Sequence, residues 1–212
     1  MSPLVNNFFA LLCIAVVLSA MLFRLLSIFG VSRTWAGSIS AVGFAVLWWP
    51  LGAAHMPAAA YVRGISSDLS ITLVVLVCLP LFRGAPHRFN SREKIPVFAA
   101  VLAAAGFLYP MALGLGDWDP YRLGWGQPGM WIGLLILAFV CWLNGLRLLP
   151  ALIAVSLLAW TAGLLESGNL WDYLLDPWLT LAACAHALKA LITKIAERLG
   201  WRSLKASNAV RS

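Results

Sequence analysis

The sequence predicts an all-α polytopic membrane protein: a bundle of about seven transmembrane helices, with the N-terminus outside and the C-terminus in the cytoplasm. Three observations carry that prediction. Of 212 residues, 62% are hydrophobic and only 11% charged, against roughly 25% charged in an ordinary soluble domain. The mean hydropathy is +0.88, and apolar runs near the length of a membrane span recur along the chain. Lys and Arg collect in alternate connections between those runs. Too little polar surface remains to clothe a soluble globule, so lipid is the solvent for most of the chain. Disorder, collagen and a disulfide scaffold are excluded by the same composition.

A helix needs about 20 apolar residues to cross a hydrocarbon layer roughly 30 Å thick. Runs bounded by charges and by Gly or Pro cover about 7–30, 34–52, 67–83, 95–115, 129–148, 150–166 and 177–194. The first lacks a positive leader and is too long for the core of a signal peptide, so it is expected to stay as a span. The last carries Lys189 and Lys194 near its end, where long side chains reach the interface. Residues 1–194 form the expected bundle, and 195–212 a basic amphipathic cytoplasmic tail. In that tail region Leu188, Leu191, Ile192, Ile195 and Leu199 recur at helical spacing ahead of Trp201.

Positive charge sets the orientation. With the C-terminus inside, 13 of the 15 Lys and Arg are cytoplasmic, among them Arg24, Arg83, Arg88, Arg92 and Arg147; only Arg63 and Arg122 are outside. The net charge of +7 therefore reports cytoplasmic loops, not a nucleic-acid partner. Acids sort the other way, with Asp68, Asp117, Asp119, Glu166, Asp172 and Asp176 at outer helix ends and Glu93 and Glu197 inside. Trp48, Trp49, Trp118, Trp125, Trp171 and Trp178 mark the outer boundary as an aromatic belt.

Several outer acids read first as helix caps. Asp119 precedes Pro120 and Asp176 precedes Pro177, a pairing that starts helices. Asn169 with Asp172 resembles a capping box, and Asp68 falls in the first turn of the third span. Glu166 near the end of the sixth span faces the negative pole of a helix, so it needs a cation. Arg63 or Arg122 must supply it, with Asp68 and Asp172 close enough to share the network. His55 to Gly64 reads as a short interfacial helix begun by Pro57 and ended by Gly64. His186 lies within the seventh span, where a neutral imidazole hydrogen-bonded between helices is expected.

The candidate ligand or partner residues are thus Arg63, Asp68, Asp117, Arg122, Glu166, Asp172 and Tyr173, with His186 as an intramembrane polar group. Cys13, Cys78, Cys141 and Cys184 lie in apolar runs without CxxC spacing, so no metal site, disulfide framework or cofactor is expected. HExxH, GxSxG, Walker and Rossmann patterns are absent. The expected role is an accessory or scaffolding subunit of a bacterial inner-membrane envelope assembly, partnered by membrane lipids and another membrane protein. The alternative is a lipid-handling enzyme or carrier in which Arg63 and Arg122 grip an anionic phosphate headgroup. A small transporter comes third.

The orientation has a direct test. A reporter active only outside the cytoplasm works when fused near Trp118 or Asn169 and stays silent at Arg88 or at the C-terminus; activity at Arg88 would reverse the arrangement.

Overall fold

The computed structural model describes residues 2–82 and 91–198. The described chain is all-α apart from one tiny hairpin. Its helices are α1 (Pro3–Ile28), α2 (Arg33–Leu47), α3 (Ala58–Ser66), α4 (Ile71–Phe82), α5 (Ser91–Ala112), α6 (Pro128–Leu143), α7 (Leu148–Thr161), α8 (Leu170–Leu174) and α9 (Pro177–Arg198). Strands β1 (Pro50–Leu51) and β2 (Met56–Pro57) pair antiparallel between α2 and α3. A 3-10 turn, Pro120–Gly124, leads toward α6.

Three helices are long and apolar enough to cross a membrane: α1, α5 from Arg92 onward, and α9. The apolar helices α6 and α7 are shorter, with 16 and 14 residues, or about 24 and 21 Å at 1.5 Å per residue. Two glycines end them early. Gly145 and Gly163 take positive φ of 74° and 62°, and the next amides return to Cys141 O at 2.9 Å and Ala159 O at 3.1 Å. That arrangement satisfies the last carbonyls and stops each helix. The expected spans at 129–148 and 150–166 therefore overrun their helices. The run 34–52 does so too, because Trp49 already leads into the hairpin.

Of the expected tail, the described residues 195–198 simply continue α9. Trp201, the remainder of the tail, and Arg83 and Arg88 lie outside the described residues. The interfacial helix read from His55 to Gly64 begins after Pro57 as expected but runs through Gly64 to Ser66. Met56 and Pro57 belong to a strand, and His55 sits exposed in the hairpin turn with φ 48°.

The core is divided between three apolar clusters. Ile14, Val17, Leu73, Val77, Val101 and Leu179 join α1, α4, α5 and α9. Met130, Ala159, Leu165, Leu170 and Tyr173 seat α8 against α6 and α7. Val97, Cys141, Leu149 and Leu152 bind α5, α6 and α7 at the opposite end. Among the described residues, buried polar contacts also cross between helices: the hydroxyls of Thr72 and Ser156 lie 3.2 Å apart, and Thr72 donates to Tyr173 O at 3.4 Å. Arg24 donates to Val77 O at 2.7 Å, tying α1 to α4.

Helix starts are satisfied across the bundle as well as locally. Glu93 of α5 accepts from Arg147 N and Leu148 N at 3.0–3.2 Å and so caps α7. Asp176 accepts from Leu179 N at 2.7 Å, capping α9, and from Ser70 N at 2.8 Å, just before α4. It is only 4% exposed. The hydroxyl of Ser70 in turn accepts from Leu73 N at 3.2 Å, so Ser70, not Asp68, caps the third expected span.

Because Asp176 serves two buried amides, its loss strands both. Asp176→Ala is expected to cost about 3 kcal/mol, against about 1 kcal/mol for the single, exposed cap removed by Asp119→Ala. Thermal unfolding of both variants in one detergent checks the ranking, and equal losses would contradict the cross-helix tie.

Candidate functional site

The end of the bundle that carries the N-terminus of α1 also gathers the hairpin, the α3–α4 connection, residues 113–127 and residues 162–176. Arg63 on α3 links three of these pieces. Its Nε and Nη2 donate to the two Asp68 carboxylate oxygens at 2.5 and 3.2 Å. Nη2 also reaches Glu166 Oε2 at 2.9 Å, and Nη1 donates to Asn7 Oδ1 at 2.6 Å. The side chains of Arg63 and Asp68 are each 19% exposed, that of Glu166 78%. The Asp68 hydrogen bond, above all, pushes the guanidinium further above its ordinary value.

Glu166 has its expected partner for a different reason from the expected one. With α7 ended at Thr161, Glu166 stands five residues beyond it in the connection to α8. Helix-dipole repulsion no longer applies there, because it fades within the last turn. What holds Glu166 in place is the loop backbone. Tyr173, fully buried, accepts from Leu165 N at 3.0 Å and donates to Leu165 O at 3.3 Å. Burial pushes its phenol above the ordinary range. Tyr173 thus positions the neighbour of Glu166 and does not itself face the cavity.

Beside this ion pair opens a cavity of about 870 Å³, within the size range of small-molecule sites. Asp68, Glu166, Asp172 and Asp176 line it against one cation among the described residues, Arg63, with Tyr109, Tyr121, Ser66 and Ser167 between them and Leu108, Leu165 and Leu175 as apolar wall. Asp172 leaves the expected network and accepts from Tyr121 Oη at 2.8 Å. The capping box is therefore half formed. Asn169 accepts from Trp171 N at 3.0 Å, but its own amide goes to Ser167 Oγ.

Tyr121 is delivered by the Pro120–Gly124 turn. Asp119 caps that turn through Tyr121 N at 2.9 Å, the buried Asn169 donates to Tyr121 O at 2.9 Å, and Trp171 Nε1 donates to Pro120 O at 3.0 Å. Gly124 packs so closely on Asn169 and Trp171 that a Cβ there would overlap both. On the facing rim, Ser67 adopts φ 59° and ψ −168°, a conformation costing a non-glycine residue of order 1–3 kcal/mol. That backbone turn presents Asp68 to Arg63.

The other candidates lie apart. Arg122 and Asp117 are exposed and, among the described residues, their side chains make no hydrogen bond or ion pair. Arg122 does not join Arg63. His186 packs its ring on Phe98 with centroids 4.6 Å apart, and no hydrogen bond takes up the imidazole among the described residues. Among these residues no three His, Cys, Asp or Glu converge as a metal-binding group. Sequence reasoning missed Asn7, Tyr109, Tyr121 and Ser167. Only Asn7 carried a signal, as a polar residue at the start of an apolar run.

No protein-family model, no curated protein and no solved structure matches the chain.

Burial, together with the Asp172 carboxylate that accepts its hydrogen bond, pushes the Tyr121 phenol up to about 12. The phenol is thus neutral in the fold and ionises more readily in the unfolded chain, near 10. Its contribution to stability is complete below pH 10 and is lost as pH rises toward 12. A difference ultraviolet titration against Tyr121→Phe is expected to place this phenol near 12, and Asp172→Asn to bring it down. Titration near 10 in the folded protein would contradict the contact.

Proposed function

We propose that the chain is a seven-span protein of the bacterial inner membrane, N-terminus outside and C-terminus cytoplasmic, whose outer cavity binds a ligand or partner through a positively charged, hydrogen-bond-donating group. The role is that of a binding or accessory subunit of an envelope assembly rather than a catalyst. The membrane reading is supported by the three helices of spanning length and by charge polarity. Acids ring the cavity end, while Arg24, Arg92, Arg147, Lys189, Lys194 and Arg198 fall toward the other. Under this reading α6 and α7 are short for a layer of roughly 30 Å, a mismatch a bilayer absorbs by local thinning.

One observation carries the ligand chemistry: four carboxylates line the cavity, and the one cation there among the described residues, Arg63, is already engaged by two of them and Asn7. An anionic headgroup would have to displace carboxylates from Arg63, and Arg122 is not among the cavity-lining residues. An amine instead finds acceptors already in place, with Asp172 and the exposed Glu166 nearest to solvent. The non-catalytic role rests on the chemistry of the hydroxyls. Tyr121 is a neutral phenol, Ser66 donates to Ser67 O, and no described histidine lines the cavity to activate either.

The test uses the full chain in nanodiscs. Thermal unfolding is expected to rise with n-butylamine concentration and not with butyrate, and the rise to shrink in Glu166→Gln and Asp172→Asn. Equal stabilisation by butyrate, or none by the amine, would overturn the reading.

A further inference from the structure

Below the acidic cavity the helices leave a second space. α5 and α6 are consecutive, yet each packs on α7 instead of on the other. Between them lies a narrow recess of about 80 Å³. Ala100 and Ala104, one turn apart on α5, face Leu134 and Leu137 of α6, and α7 closes the back with Leu152 and Ile153. The polar groups in the lining, the Thr72 hydroxyl and the Trp171 indole N–H, are already engaged, with Ser156 and Tyr173 O and with Pro120 O respectively. Water finds no partner in such a space, whereas hydrocarbon fits it.

The recess opens sideways. Leu137 is 38% exposed, on the flank of α6 that also exposes Ile136 and Val140. Ala104 lies about 12 Å and Leu134 about 9 Å from the cavity ends of their helices at 1.5 Å per residue. Val97, at the other end of the lining, lies about 22 Å down α5, so in a seven-span membrane protein the recess starts in the outer half of a hydrocarbon layer roughly 30 Å thick and reaches past its middle. Leu175 is a wall of both spaces, so the apolar recess ends where the acidic cavity begins.

We propose that the ligand of the outer cavity is a membrane lipid with an amine in its headgroup, its acyl chain entering laterally between α5 and α6. This rests on the cavity being the ligand site. The recess holds only a few methylene groups, so it takes the upper part of one chain while the rest stays in the bilayer. Moving a tail from lipid to an apolar recess gains little hydrophobic free energy, because lipid tails are as apolar as leucine. The amine supplies the affinity. The tail supplies position, delivering the headgroup along the membrane plane at high local concentration.

Photolabelling tests this with the full chain in phosphatidylcholine nanodiscs and dodecylamine carrying a diazirine on its chain. Labelling is expected to concentrate at residues 97–104 and 134–137, to be competed by unlabelled dodecylamine but not by dodecyl sulfate, and to fall severalfold in Ala104→Phe and in Asp172→Asn. Retention of the n-butylamine response in Ala104→Phe shows that this variant is folded; if it is not, Ala100→Leu takes its place. Uncompeted labelling spread over all lipid-facing helices, with the n-butylamine response intact, would overturn lateral entry and leave the cavity reading standing. Loss of both responses would overturn both.

Discussion

The structure turns on where a small supply of carboxylates goes. A helix start leaves free backbone N–H groups, and in or near lipid no water is at hand to satisfy them. The chain has only eight acids. Asp176 and Glu93 cap helices and reach between elements, Asp119 caps the 3-10 turn, Asp68 and Glu166 hold Arg63, and Asp172 holds Tyr121. Of these, Asp176 bears most, because one buried side chain aligns the starts of α4 and α9 and closes the floor of the cavity.

The cavity follows from the lengths of the helices. Gly163 stops α7 at 14 residues, and the chain then has to regain the cavity end of the bundle through residues 162–169 and the five-residue α8. Irregular backbone at that depth is tolerated only where protein buries it or a polar cavity adjoins it. Both conditions are met. Tyr173 and Asn169 take up loop amides and carbonyls from within, and the open side is lined by acids, hydroxyls and Arg63. Polar lining and short helix are thus one solution to one problem, and the arginine pinned across α1, α3 and the loop keeps the opening from collapsing.

Much of the helical plan was legible because apolar runs and Lys/Arg placement are written directly in composition. Each of the seven runs overlaps one of the longer helices, though most helices start or end outside their run. The ends were less legible. Gly163 sits inside apolar sequence and Gly145 just after Asn144 within the run 129–148, and hydropathy carries no information about φ. At the site, the pairing of Glu166 with Arg63 followed from scarcity of cations outside, an argument that survives although its helix-dipole premise does not. Tyr121 was invisible for a physical reason. Its place depends on Gly124 admitting Asn169 and Trp171, so that Asn169 can bond to Tyr121 O across 48 residues, a contact that no local pattern encodes. The chain partner of Asp172 was missed by the same route.

Among the cavity acids, energetics separates those that build from those that bind. Asp176 satisfies two amides and is buried, so releasing it to a ligand would strand both. Asp68 holds Arg63 through two contacts at a site mostly out of solvent, and the strained turn at Ser67 already favours that geometry. Glu166 differs. Its side chain is 78% exposed, and an exposed ion pair of this kind contributes only about 0–1 kcal/mol. Exchange of its partner for an incoming amine therefore costs the fold little, and Arg63 keeps Asp68 and Asn7 when it happens. Asp172 also has a free choice, since the neutral Tyr121 phenol that donates to it occupies one carboxylate oxygen. The two acids least needed by the structure are thus the two best placed to receive a cation, one from the α7–α8 connection and one from α8.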